Sequence, residues 1–335
     1  MDLSIIVPVY NVEKYIRPCF ESIFRQGLED DRFEIIIVND GTPDRSMEMI
    51  TDIIGQHQNI TIINQENQGL SGARNNGIAA AKGEYIFMPD SDDMLIENSL
   101  KPLLEKALET KADLVVADFL EMDDEEIDDF YKKDFKQPEL QFKKFVGEQI
   151  FLEVLNPYQC YVWRTLYRRE FLNTGNMISY PGIRYQDIAF THKCYLDANI
   201  CIRTNTLLNI YRRWPGSTTK AYKFDNSKHF ITAIALTWNL RQKEGLSPKV
   251  LYKLEENVYI LFRTMVYHTI YGIKDKKDRY VLMNYVNFQC PDLNFTHGIK
   301  QRFITFMIKR MPHTFINIFY LYVQIVYKKR YKIWK

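Results

Sequence analysis

The sequence predicts an α/β protein: a doubly wound, mixed, mainly parallel sheet with helices on both faces, followed by a helical C-terminal extension. Three observations carry that expectation. Short apolar runs recur at 3–9, 33–39, 60–63 and 84–89, amphipathic stretches lie between them, and polar words close the runs. Sheets of this kind bind ligands at the carboxyl ends of their strands.

Leu3 to Val9 is an almost continuous apolar run, as in parallel strands buried on both faces, and it ends in the turn Tyr10-Asn11. From Lys14 to Gln26, Ile16, Phe20, Ile23 and Phe24 recur at helical spacing. Phe33 to Asn39 is a second strand. In the turn Asp40-Gly-Thr-Pro-Asp44, Thr42 is read as a helix cap and Pro43 as the first helical residue. Met47, Ile50 and Ile54 continue that helix, Ile60 to Ile63 is a third strand, and Gly69 to Lys82 is an alanine-rich helix. It leads into the strand Glu84 to Pro89.

Directly after that strand comes Asp90-Ser91-Asp92-Asp93. Three carboxylates at one strand end repel one another, and a divalent cation with an anionic ligand offsets the repulsion. Alternate residues of an extended segment project the same way, so Asp90 and Asp92 are expected to share one ligand. Mg²⁺ and Mn²⁺ suit these hard oxygens and leave positions for phosphates. An acidic turn capping a helix is the alternative for the motif in isolation. Tyr10-Asn11 and Asp40 fall on the same rim, which favours a nucleotide site. No P-loop and no G-x-G-x-x-G word occurs, so Gly69 and Gly72 are read as backbone devices and dinucleotide chemistry is disfavoured.

These words together resemble the family 2 glycosyltransferases with the GT-A fold. The matching stretches are Ser4–Asn11, Val38–Asp44, Gly69–Asn75, Lys82–Tyr85 and Asp90–Asp93, with weaker matches at Leu166–Phe171, Gly182–Phe190 and Tyr211–Arg213. The resemblance implies a UDP-sugar donor, with Pro8, Tyr10 and Asp40 lining the base and ribose pocket. It implies a donor-binding rim that also includes Asn11, Arg74, Asp90 and Ser91, with the cation on Asp90 and Asp92. Asp40 is expected to accept a hydrogen bond from the uracil imide. The residue before it, usually Asp in the family, is Asn39 here. Arg74 is read either as a phosphate contact or clamp on the Asp cluster, or as a surface ion pair.

The resemblance places the catalytic base at Asp187, the second member of a pair that is usually Glu-Asp and is Gln186-Asp187 here. Losing the like charge lowers the pKa of Asp187 relative to a paired carboxylate. A first-turn carboxylate favoured by the helix dipole is the structural alternative, and His192 is read as structural. Arg212 and Arg213, before Pro215–Thr219, are expected on a loop that closes over the diphosphate, or else as solvated charges. Processive synthases of the family carry Gln where this chain has Ile210, which favours single additions. The implied reaction is inverting transfer to a glycan or lipid-linked acceptor; a catalytically impaired nucleotide-sugar-binding or membrane-scaffolding protein is the alternative.

The chain has 335 residues, 46% of them hydrophobic, enough for a large core and an extension. The expected division is a nucleotide-sugar-binding and catalytic domain at 1–220 and a helical extension at 221–335. Five cysteines form no metal-ligand spacing, and no signal peptide is evident, which together favour the cytoplasm. From Leu293 onward there are nine Lys or Arg and no Asp or Glu; of the totals of 44 basic and 42 acidic residues, this leaves −7 for the body. The aromatic, basic tail is expected to lie on the inner face of the cell membrane, with a helix contact or homodimer as the alternative and nucleic acid disfavoured for want of a module. Thr314 to Tyr327 is too short to span a bilayer. The acidic run Glu121 to Glu139 is read as a solvated loop, and the apolar spacings of Phe224 to Gly272 as helix packing.

Overall fold

The computed structural model describes residues 1–131, 135–214 and 223–331. Two compact units result: Met1–Gly182 with Phe190–Pro215, and Ile183–Ala189 with Gly216–Lys335. In the first unit β1 (Leu3–Val9), α1 (Ile16–Phe24), β2 (Phe33–Asn39), α2 (Thr51–Gln56), β3 (Ile60–Asn64), α3 (Gly69–Ala80) and β4 (Tyr85–Phe87) alternate as expected. Next come β5 (Met94–Leu95), α4 (Leu100–Thr110), β6 (Leu114–Asp123), α5 (Asp124–Tyr131), β7 (Phe142–Val146), β8 (Thr165–Arg168) and α6 (Arg169–Thr174). The helix α7 (Gln186–Asp197) begins in the second unit's segment, and β9 (Ile200–Arg213) ends the first unit's sheet.

The sheet order is β3-β2-β1-β4-β8-β6-β9-β5, with β7 also on β9. Strands β1 to β4 pair in parallel, as does β6 with β9, while β8, β5 and β7 pair antiparallel. Leu3, Ile5, Val7 and Val9 of β1 share one core with Ile16, Phe20 and Ile23 of α1 and Leu100, Leu103 and Leu104 of α4. On the opposite face Ile6 lies against Gly77 of α3, where an added Cβ would stand 2.2 Å from Ile6 Cγ2. Both faces are therefore covered by helices, and an uninterrupted apolar strand is what such a position requires.

Two expectations are corrected. Thr42 and Pro43 do not open a helix, because the Thr42 hydroxyl is engaged by the Asn11 N–H and by Asp44; a 3₁₀ turn at Glu48–Ile50 precedes α2 instead. The run from Glu121 is not a loop over its first eleven residues: β6 extends to Asp123 and α5 follows to Tyr131, while residues 135–139 belong to no helix or strand. Parallel pairing with β9 continues to Asp123 opposite Arg213, whose side chains form an ion pair at 3.2 Å. Residues 132–134 lie outside the described residues.

In the second unit α8 (Phe224–Asn239), α9 (Pro248–Gly272), α10 (Lys276–Gln289), α11 (Ile299–Arg310) and α12 (Pro312–Tyr331) form a helical array. Ser247 caps α9 and Pro248 takes its first position; Asp275 caps α10 through the N–H groups of Lys277 and Asp278. Phe230, Ile234, Leu254, Val258, Leu261 and Phe262 are buried, as the helical spacing predicts. All five cysteines are buried and none forms a disulfide.

Buried Ser4 ties three segments of the sheet together. Its hydroxyl donates to Glu34 at 2.6 Å and accepts the Gly83 N–H at 2.8 Å, and Glu34 accepts the Lys82 N–H at 2.7 Å. A Cβ on Gly83 would lie 2.4 Å from the backbone of Leu3 and Ser4. Gly83→Ala should therefore destabilise the fold by about 3 kcal/mol. Gly55→Ala, in α2 with nothing within 4 Å of the new methyl, should instead stabilise by about 0.5 kcal/mol. Urea unfolding midpoints of the two variants check the contrast.

Candidate active site

The site is built from the carboxyl ends of β1, β2 and β4 and the far end of β9. Beyond β1, Tyr10 is exposed and Asn11 takes a left-handed conformation with φ 55°, which Asn tolerates. The backbone N–H groups of Asn11, Val12 and Glu13 are taken up by Thr42, Ser46 and Asp44. Partial burial opposes ionisation of Asp44, but hydrogen bonds from Ser46, Thr42 and the Glu13 and Ser46 N–H groups bring it down to about 2. The loop after β2 is thereby laced to the loop after β1.

Pro8 is buried in β1, and Asp40 is almost fully buried at the end of β2. Asp40 Oδ1 accepts from Gln65 Nε2 at 2.7 Å and from the Gln68 N–H at 2.8 Å, while Gly41, with φ 65°, turns the chain. Asn39 accepts the Thr42 N–H at 3.1 Å and donates to Asn64 at 2.9 Å. Its amide closes the β2–β3 edge.

Asp90 to Asp93 is a turn and not an extended segment, closed by the Asp93 N–H on the Asp90 carbonyl at 3.2 Å. Asp90 and Asp92 are half-buried, whereas Ser91 and Asp93 are buried. The turn geometry brings in a third acid: one carboxylate oxygen from each of Asp90, Asp92 and Asp93 lies within 4.8 Å of the others. Burial pushes the Asp93 carboxyl well above its usual range, with the charges of Asp92 and Asp90 adding to the effect. Burial also raises Asp90, against the opposing pull of Arg74.

Arg74, projecting from α3, is buried and donates through Nη2 to Asp90 Oδ1 at 2.6 Å. It is neither a surface pair nor a two-pronged clamp. Its Nε and the Asp93 Oδ2 are buried polar atoms with no hydrogen-bond partner among the described residues. Such orphans are costly, and a ligand commonly supplies the missing partner. Three convergent hard oxygens with one acceptor atom unspent fit a small divalent cation.

Arg212 and Arg213 are the last residues of β9, not part of a loop, because pairing with β6 carries the strand that far. Arg212 is buried, with its N–H on Asp93 Oδ1 and its Nε on the Asp92 carbonyl, both at 2.9 Å, and its Nη1 on Asp124. Its guanidinium lies 4.8 Å from the Tyr15 ring. Arg213 is exposed and paired with Asp123. The expected loop Pro215–Thr219 lies outside the described residues.

Asp187 belongs to the second unit, as the second residue of α7 and its first-turn acid. The preceding Tyr185 has φ 62° and stacks on Phe230 at 4.7 Å, while the Arg184 N–H meets His229 Nδ1 at 3.4 Å. Gln186 is buried beside it. His192 is fully buried, with its Nδ1 3.7 Å from Cys160 Sγ, as a structural histidine would be.

Sequence reasoning did not assign Gln65 and Gln68 to Asp40, Asp124 and Tyr15 to Arg212, or Trp214 to Asp92. Trp214 Nε1 donates to Asp92 Oδ2 at 3.1 Å. The adjoining Arg212-Arg213 pair was the available signal for Trp214. Asp124 had none, buried as it is in an acidic run.

Residues 4–175 match the family model described as glycosyl transferase family 2. A Bacillus subtilis (strain 168) protein described as the uncharacterized glycosyltransferase EpsJ is 37% identical over 224 residues, covering 65% of this chain and 63% of EpsJ. The chain thus matches less than two thirds of that relative's length. The glycosyltransferase GlyG of Streptococcus pneumoniae serotype 4 is 32% identical over 231 residues, 67% of this chain and 75% of GlyG. Among solved structures, S. aureus TarS 1–349 in complex with UDP-GlcNAc superposes with a TM-score of 0.68 at 19% identity, covering 94% of this chain and 89% of that one. That likeness shows the GT-A fold. With its sheet, its acidic turn and these matches taken together, the chain belongs to glycosyl transferase family 2.

Proposed function

We propose that this chain transfers a hexosyl or N-acetylhexosaminyl group from a UDP-sugar to a hydroxyl of a growing, lipid-linked glycan, with inversion and in dependence on Mn²⁺ or Mg²⁺. The observation that carries the reading is the convergence of three carboxylates at the strand rim in a family 2 chain. Asp90 and Asp92 would hold the cation, and buried Asp93, one of whose oxygens has no partner among the described residues, adds a third carboxylate to the same cluster. When bound, the cation offsets the charge that gathers on the leaving diphosphate.

The chain's own residues do the rest. Pro8, Tyr10, Asn11 and Asp40 receive the base and ribose, with Asp40 held in place by Gln65 and Gln68 so that it meets the uracil imide as an acceptor. Arg74 restrains Asp90 and offers its unpartnered Nε to the donor, and Ser91, between the two half-buried acids, completes the donor-binding rim. Arg212 secures the turn from behind, in place of closing over the diphosphate. Asp187 takes the proton of the acceptor hydroxyl as its oxygen bonds the anomeric carbon, and the bond from that carbon to the diphosphate breaks to release UDP. The TarS complex with UDP-GlcNAc supports a uridine donor for this fold.

The tail reading joins this proposal. Among the described residues no helix is long and apolar enough to cross a membrane. On α12, Ile318, Leu321 and Ile325 are exposed at spacings that form one stripe, and Phe303 and Phe306 of α11 are exposed near Lys300, Arg302 and Arg310. Exposed apolar side chains among cations suit the headgroup layer of an anionic membrane. The terminal residues 332–335 lie outside the described ones.

The purified chain, given a panel of UDP-sugars and glycolipid extracts, should release UDP only with Mn²⁺ or Mg²⁺, and Asp92→Ala should lower that rate by about 100-fold or more. Tight UDP binding without turnover on any acceptor would favour a sugar-nucleotide-binding scaffold instead. Asp187→Asn should leave the UDP dissociation constant unchanged by calorimetry while transfer falls about 100-fold; equal transfer rates would remove Asp187 as the base. Replacing Ile318, Leu321 and Ile325 together with Ser should reduce cosedimentation with phosphatidylglycerol vesicles about 10-fold or more without altering UDP binding.

A further inference from the structure

The end of β9 grips the acidic turn at three points. Arg212 holds Asp93 through its backbone N–H and the Asp92 carbonyl through Nε, and two residues later the Trp214 indole N–H reaches Asp92 Oδ2 at 3.1 Å. The indole is itself located by packing: its ring centroid is 5.1 Å from that of Tyr15, at an interplanar angle of 46°. Tyr15 also receives the Arg212 guanidinium at 4.8 Å and the Lys14 ammonium at 5.0 Å, and both cations bond Asp124. The Trp214–Asp92 bond is therefore one end of a continuous assembly from β9 through α5 to the turn before α1.

We infer that Trp214 is a positioning residue for the cation-facing carboxylate Asp92, an inference that rests on the cation reading proposed above. An indole N–H can only donate, and a carboxylate has about four acceptor sites. The bond to Oδ2 therefore fixes the Asp92 rotamer while leaving room for a cation. It also withdraws charge from a carboxylate crowded by Asp90 and Asp93. Partners of this kind, one step removed from a metal, typically change its affinity about 10–100-fold when lost.

The test separates the N–H from the bulk of the ring. Trp214→Phe keeps an aromatic ring against Tyr15 and removes the donor, while Trp214→His restores a ring N–H. Mn²⁺ alone, without nucleotide, is titrated into each protein and the free ion is followed by electron paramagnetic resonance. Affinity should fall about 10-fold in the Phe variant and recover substantially in the His variant. Equal affinity in wild type and Phe variant overturns the inference, as does a wild type that binds no Mn²⁺ at millimolar concentration.

A second readout is the indole N–H spectrum of the wild type, assigned by comparison with the Trp214→Phe variant. The chain has four tryptophans, and Mg²⁺ should shift the indole N–H resonance that is missing from the position-214 variants. If that resonance stays in place at saturating Mg²⁺, the inference fails. Sugar-nucleotide turnover is scored separately: Trp214-dependent cation binding without any turnover would sink the transferase proposal and leave the role of Trp214 intact.

Discussion

The mutual repulsion of Asp90, Asp92 and Asp93 is the constraint around which the first unit is organised. Three carboxylates whose oxygens lie within 4.8 Å of one another, two on half-buried residues and one on a buried residue, do not stay together without opposing groups. The fold supplies those groups from two directions. Helix α3 brings buried Arg74 to Asp90, and β9 brings Arg212 and Trp214 to Asp92 and Asp93. Burying a guanidinium is expensive unless it is paired. The cost of burying Arg74 and Arg212 is tolerated because each meets a carboxylate, Asp90 and Asp124 respectively.

This constraint also accounts for features of the sheet with no other evident purpose. β9 is 14 residues long, far longer than β4, and its last residues run past the core. Its antiparallel contact with two-residue β5, Met94 opposite Ile210, sets Arg212 two residues beyond that pairing and beside the acidic turn that precedes β5. Parallel pairing with β6 out to Asp123 then carries the start of α5, with Asp124, to the other side of Arg212. A shorter β9 would leave the turn without its second counter-charge.

The parallel half of the sheet was legible because each signal was local. Leu3 to Val9 and Phe33 to Asn39 declare buried strands by composition, and the observed bounds of both coincide with the reading. Asp90 and Asp92 were legible as a charged word, but their geometry was not. Sequence alternation predicts two acids on one side of an extended segment, whereas a single backbone hydrogen bond from Asp93 to Asp90 makes a turn that gathers three. Arg212 was misplaced onto a loop because its partners are 88 and 120 residues away in sequence, set by which strands become neighbours and not by any local period. The same long-range pairing concealed the strand within the acidic run at Glu121.

The departures Asn39 and Gln186 weigh differently once their surroundings are considered. Asn39 spends its oxygen on the Thr42 N–H and its amide on Asn64, so it closes the edge between β2 and β3 and leaves the hydrogen bonds of Asp40 untouched. A carboxylate at 39 would accept from Thr42 equally well, but it would present a second negative charge beside buried Asp40 and leave Asn64 to turn its amide round. The pair Asn39–Asn64 is thus a self-consistent neutral substitute for a charged arrangement. Gln186, unlike half-buried Asn39, is buried at the start of α7, where an unpaired carboxylate would be costly. In both places the missing charge lies next to a carboxylate that the proposed chemistry keeps, Asp40 in one case and Asp187 in the other. Leaving a neutral side chain beside each of these carboxylates lessens the like-charge repulsion that the fold must offset there.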